Sequence, residues 1–145
     1  MTHISSILRY KGNETFSVPP DMTIAAVVRL LDQKRIGAVL VLDHTGVLLG
    51  IVSERDIVRS LAAIGARTLE MTAGQLMTRA LTTATPQTTV AEAMRTMTTG
   101  RFRHIPVLDD GRLAGLVSIG DVVKARIMEQ EEEVGNLRAY IAGAT

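Results

Sequence analysis

The sequence contains no cysteine and no tryptophan, and only two tyrosines and two phenylalanines among its 145 residues. Without cysteine there is no disulfide, no thiolate nucleophile and no thiolate-ligated zinc. Aromatics at 3% give too little ring surface for the stacking platforms that hold single-stranded nucleic acid. Charge of one sign is missing too: 16 basic residues face 15 acidic ones. That balance gives no long-range field to draw in nucleic acid or an anionic membrane, and neither is expected as a partner. The start, Met1 to Lys11, has no basic stretch followed by an apolar one, so no signal peptide is expected. No apolar run approaches the about 20 residues that span a bilayer. These absences point to a soluble, cytoplasmic protein.

What is present is a chain written twice. Pro20, Thr23, Ile24 and Arg29 find counterparts in Pro86, Thr89, Val90 and Arg95, at an offset of 66 residues. The same offset joins Arg35 to Arg101 and Val41-Leu42-Asp43 to Val107-Leu108-Asp109. One extra residue in the first turn lowers it to 65, which joins Gly50, Ser53 and Asp56 to Gly115, Ser118 and Asp121. Repeats of this size are one supersecondary unit each.

Both copies read the same way. A short extended segment (Thr15 to Val18; Leu81 to Ala84) precedes a proline-marked turn. Thr23 and Thr89 are set to cap helices that run to about Arg35 and Thr98, with Glu92 completing a capping box in the second copy. Two β-branched runs follow, Ala38 to Leu42 and His104 to Leu108, each returning through a turn as Leu48 to Val52 or Leu113 to Val117. A second helix starts after Ser53 or Ser118. The fold class expected is α+β, with a β-α-β-β-α order in each copy. Residues 61–77 form a connector, and a long helix from Asp121 to about Ala142 closes the chain. Its apolar residues Val134, Leu137 and Ile141 can share a face that suits packing against the rest of the chain, which is the expected case, or against a partner. Met71, Met77, Met94 and Met97 are expected to fill the core.

The chemistry concentrates in Gly50-Ile-Val-Ser-Glu-Arg-Asp56 and Gly115-Leu-Val-Ser-Ile-Gly-Asp121. Glycine admits a close approach, the serine stands at a helix N-terminus that favours phosphate, and the aspartate offers the acceptor pair that suits a ribose diol. The same Ser-x-x-Asp spacing is also that of a helix cap, and capping alone accounts for one isolated copy. Nothing suggests catalysis: there is no phosphate-binding Gly-x4-Gly-Lys motif and no nucleophile–base pair, and His3 and His44 are too isolated to be metal ligands. No enzyme activity and no metal are expected.

Residues from about Glu14 to Ile127 resemble a tandem pair of CBS (cystathionine-β-synthase-type) domains, a Bateman module. The resemblance rests on the duplicated Gly-h-h-Ser-x-x-Asp motif, where h is apolar, with His104-Ile105-Pro106-Val107 complete in the second copy. It implies two repeats related by a pseudo-two-fold axis: residues 1–64 as the first repeat, 65–77 as connector, 78–128 as the second repeat, and 129–145 as a terminal helix. It also implies a non-catalytic regulatory module that holds an adenine nucleotide (AMP, ATP, NAD(H) or S-adenosylmethionine) in the cleft between repeats. Asp56 and Asp121 would hold ribose, and Ser53 and Ser118 ribose or phosphate. Thr82, Ile105 and Pro106 would line the adenine. Arg55, Arg101, Arg103 and His104 would reach the phosphate. A homodimer and an unknown regulated protein complete the implied partners. The first copy departs from the pattern, with Ala38-Val-Leu40 standing where the second has His104-Ile-Pro106. The preferred site is therefore that of Ser118 and Asp121. The alternative is a ligand-free structural or dimerisation module in which serine and aspartate act as caps.

Overall fold

A computed structural model describes residues 1–12, 14–79 and 81–143. The elements run α1 (Ile4–Lys11), β1 (Ser17–Val18), α2 (Ile24–Lys34), β2 (Ala38–Leu42), β3 (Leu48–Ser53), α3 (Glu54–Ile64), a 3-10 helix (Gly65–Glu70), α4 (Ala73–Leu76), α5 (Val90–Gly100), β4 (His104–Asp109), β5 (Arg112–Ser118) and α6 (Ile119–Gly143). The α+β reading holds. The chain divides into two units, Glu14–Leu81 and Met1–Asn13 with Thr82–Thr145.

In the contiguous unit the strands lie in the order β1-β2-β3, with β1 parallel and β3 antiparallel to β2. All of β2 from Ala38 to Val41 is buried, as its unbroken apolar run requires. Helix α2 puts Ile24, Val27 and Leu31 on one buried face, and they join Val39, Val41 and Val52 in the core. Thr23 caps that helix through the Ala26 amide, and Arg35 ends it in the left-handed conformation. The connector is built into this core: Met77 is buried there and Met71 packs against it, as expected of these methionines, and Ala73 is buried beside them.

The split unit repeats the plan with β4 and β5 antiparallel. Val90, Ala93 and Met97 of α5 face Ile105, Val107 and Val117, and Thr89 caps α5 through the Glu92 amide. What completes its core is the amino-terminal segment. Helix α1, which has no counterpart in the expected elements, buries Ile4, Ile7 and Leu8 there. The expected division attached these residues to the first repeat.

The reason is a hidden equivalence. Ile4 and Ser5 amides donate to the Thr88 and Pro86 carbonyls at 2.8 and 2.9 Å, while Ala73 and Gly74 amides donate to Met22 and Pro20 at 2.8 Å each. Val90 donates to Thr2, and Ile24 to Met71, both at 2.8 Å. His3 bridges Thr89 as Thr72 bridges Thr23. Each repeat is thus preceded by a lead segment that docks on the other repeat's unit: α1 ahead of the first copy, and α4 ahead of the second.

The tail differs from expectation in one respect. Helix α6 forms over 25 residues, but Val134, Leu137 and Ile141 are 47, 60 and 58% exposed and do not pack back on the chain.

Candidate functional site

Both Ser-x-x-Asp motifs sit where a strand turns directly into a helix, β3 into α3 and β5 into α6. At the first, Ser53 Oγ accepts the Asp56 amide at 3.3 Å, and Asp56 Oδ2 accepts the Ser53 amide and hydroxyl at 2.9 Å each. At the second, Ser118 Oγ accepts the Asp121 amide at 3.1 Å, and Asp121 Oδ2 accepts the Ser118 amide at 2.8 Å. Both are reciprocal capping boxes, so both motifs satisfy orphan helix amides whatever else they do.

The aspartates differ in their outside partner. Asp56 Oδ1 accepts the Thr78 hydroxyl at 3.4 Å, while the Thr78 amide donates to the Ile51 carbonyl at 2.9 Å. In the split unit one group takes both positions. Lys11 Nζ donates to Asp121 Oδ2 at 2.7 Å and to the carbonyl of Leu116, the counterpart of Ile51, at 3.0 Å. A neutral hydroxyl in one unit is therefore a full positive charge in the other. Burial pushes the Asp121 carboxyl up, but the Lys11 hydrogen bond and charge and the Ser118 amide outweigh it and hold it below the usual carboxylate value.

The motif glycines explain how the lead segments reach this far. A side chain at Gly50 would place its Cβ 2.6 Å from the Thr78 carbonyl oxygen and 2.8 Å from Met77 Sδ. At Gly115 it would fall 2.6 Å from Leu8 Cδ2. These glycines admit the chain's own lead segments, so close approach is already used by protein rather than by ligand.

The adenine candidates flank the second motif. His104 is paired with Ser118 across the β4–β5 ladder, and Pro106 with Leu116. Ala84 bridges Val107 in parallel, its amide donating to the Pro106 carbonyl at 3.0 Å. Thr82 lies just before that bridge and is exposed. In the other unit the Leu40 amide donates to the Phe16 carbonyl at 3.0 Å, which extends β1 along β2. The counterpart pair is Pro106 and Thr82, and proline has no N–H to give. The Thr82 carbonyl therefore loses that ladder bond, and the segment is reduced to a single bridge.

Other site residues fall variously. Ile105 corrects the expectation: its side chain is 2% exposed within the core, so it has only backbone to offer a ligand. Arg101 is the left-handed cap of α5, with φ +57°, and Arg103 is exposed, its carbonyl accepting the Ile119 amide at 2.8 Å. Thr82, His104, Pro106, Ser118 and Asp121 all belong to the split unit, with His104 paired to Ser118 and Ser118 bonded to Asp121. Ser53, Arg55 and Asp56 belong to the contiguous one. Lys11 escaped the sequence reading. The signal for it was the weak likeness of residues 2–8 to 71–77, which shows only once their hydrogen bonds are seen to match.

Among the described residues no group of three or more His, Asp or Glu side chains is placed to hold a metal ion. No helix among them is long and apolar enough to cross a membrane.

The family model for the CBS domain matches this chain twice, over residues 12–63 and 73–127. The CBS domain-containing protein CBSX3, mitochondrial, of Arabidopsis thaliana is 38% identical, covering 98% of this chain and 73% of its own. The crystal structure of the CBS-domain containing protein ATU1752 from Agrobacterium tumefaciens is 44% identical and superposes with a TM-score of 0.84, over 86% of this chain and 99% of that one. CBSX2, solved in complex with AMP, is 26% identical with a TM-score of 0.72, over 90% of this chain and 99% of its own. Two matched repeats, each carrying the Ser-x-x-Asp box at its strand-to-helix junction, make this chain a tandem member of the CBS-domain family.

Proposed function

We propose that this chain is a non-catalytic regulatory module that binds an adenine nucleotide at the split unit. The observation that carries this reading is the unclosed edge at Thr82. Pro106 withholds an N–H beside a carbonyl that its counterpart satisfies, next to a Ser118–Asp121 box on the adjoining strand end. An adenine edge offers the missing donor; Lys11 and Ser118 both bond to Asp121 Oδ2, and Oδ1 is the oxygen that would accept a ribose hydroxyl. The AMP held by the related CBSX2 supports the ligand class. Ser118, His104, Arg101 and Arg103 are the groups assigned to the phosphate end in this reading. Ser53, Asp56 and Arg55 are assigned the corresponding, weaker role in the contiguous unit. The nucleotide would favour one conformation and so bias contacts with a regulated partner.

A thermal-shift series with AMP, ADP, ATP, NAD⁺, NADH and S-adenosylmethionine, against guanosine nucleotides, tests it. A ligand at 100 times its dissociation constant stabilises by about 2.7 kcal/mol. Adenine-selective stabilisation that Asp121→Ala abolishes is the expected result. No response up to millimolar concentration sinks the reading.

A second reading has its own observation. Asp121 Oδ2 is already committed to Ser118 and Lys11, as befits a purely structural cap. It predicts no nucleotide response while Asp121→Ala still lowers the melting temperature.

A further inference from the structure

Helix α6 leaves a seam of exposed residues: Val123, Ile127, Gln130, Val134, Leu137 and Ile141. Their spacings of four, three, four, three and four are those of alternating d and a positions of a heptad. All three a positions, Ile127, Val134 and Ile141, are β-branched, and Leu137 stands at d, the combination that favours two strands. Gln130 is the one polar residue in the seam, a device that fixes register. Gly135 lies on the outer face, where it weakens the helix without entering the seam.

The flanking charges choose the occupant. Arg126 and Glu133 take g positions, and Glu131 and Arg138 take e positions. In a parallel, in-register pair each g residue meets the e residue five places on in the other helix. That sets Arg126 against Glu131 and Glu133 against Arg138, opposite signs in both cases. An antiparallel pair over the same span sets Glu131 and Glu133 against their own copies, which repel. We infer that the α6 seam is the docking surface for a second copy of this chain, joined as a parallel two-stranded coiled coil. Arg126 also lies 3.4 Å from Glu129 of its own helix, so the Glu133–Arg138 pair is the cleaner one to test.

The absence of cysteine makes the test direct. In the full-length chain, Leu137→Cys places a thiol opposite its own copy in the parallel seam, and Glu132→Cys places one on the outer face. Under mild oxidation the first is expected to run as a covalent dimer and the second as a monomer. Equal cross-linking of the two, or none at Leu137→Cys, overturns the inference and leaves the seam to another protein. A charge exchange reads the orientation. Glu133→Lys and Arg138→Glu each bring like charges together twice in their own dimers and are expected to weaken dimerisation about tenfold. Mixed together they restore two opposite pairs and should dimerise as the parent does. Equal dimerisation alone and mixed overturns the parallel arrangement. These side chains are exposed, so the variants are expected to fold, and a circular dichroism spectrum that departs from the parent's identifies any that has not.

Discussion

Lys11 and Asp121 stand 110 residues apart in the chain and 2.7 Å apart in the fold. The contact ties the end of α1 to the first turn of α6 and puts a positive charge on the motif aspartate of one unit only. With side chains 33 and 25% exposed, it is worth no more than about 1 kcal/mol. Lys11→Met is therefore expected to lower the melting temperature by only a few degrees. It should also move the Asp121 carboxyl upward in a carbon-detected NMR titration, because a cause holding it down is gone.

Acid should reveal the same contact. The Asp121 carboxyl is depressed in the folded state, so its contribution is complete above the unfolded value of 3.8 and is lost as pH falls through the lower, folded value. Denaturant midpoints of the parent and Asp121→Asn are expected to differ at pH 6 and to converge below pH 3.8. A gap that persists in acid would assign the difference to packing.

Gly50 and Gly115 stand at matching motif positions but face different obstacles. Gly115→Ala meets the mobile end of Leu8, whereas Gly50→Ala meets the Thr78 backbone carbonyl. Overpacking costs about 1–3 kcal/mol. Gly50→Ala is expected at the upper end of that range and Gly115→Ala at the lower, with Leu8→Val restoring part of the latter. Chemical denaturation of the three variants gives the order.

Pro106→Ala should separate nucleotide binding from folding. The new amide is placed to close onto Thr82 as Leu40 closes onto Phe16. The expected outcome is a melting temperature equal to or above the parent's, with the adenine-dependent shift reduced. A full nucleotide response in Pro106→Ala would remove the Thr82 edge from the proposed site.

The parts of this molecule that could be read in the sequence are those with local causes. Ile24, Val27 and Leu31 announce a buried helical face by spacing alone, and Val39 and Val41 a buried strand by branching. Ser118 and Asp121 announce a capped helix because the bonds between them span three residues. What escaped is settled by partners far away. Helix α1 has no side-chain cap at His3 to mark it, and its fit depends on Thr88 and Pro86. Ile105 reads equally as pocket or core, since an apolar strand residue carries no sign of which face it takes. The exposed seam at Val134, Leu137 and Ile141 has the pattern of any amphipathic helix, and the pattern does not say whose surface covers it.

The exchange of lead segments has a consequence for synthesis. Translation proceeds from the amino end, so α1 leaves the ribosome before the rest of its unit, which runs from Thr82 onward. The stretch from Glu14 to Leu81 is self-sufficient in sequence and can close while the rest is still being made. Helix α1, with Ile4, Ile7 and Leu8 uncovered, must wait for α5, β4 and β5, so the later-made unit is finished by a helix made before the other unit.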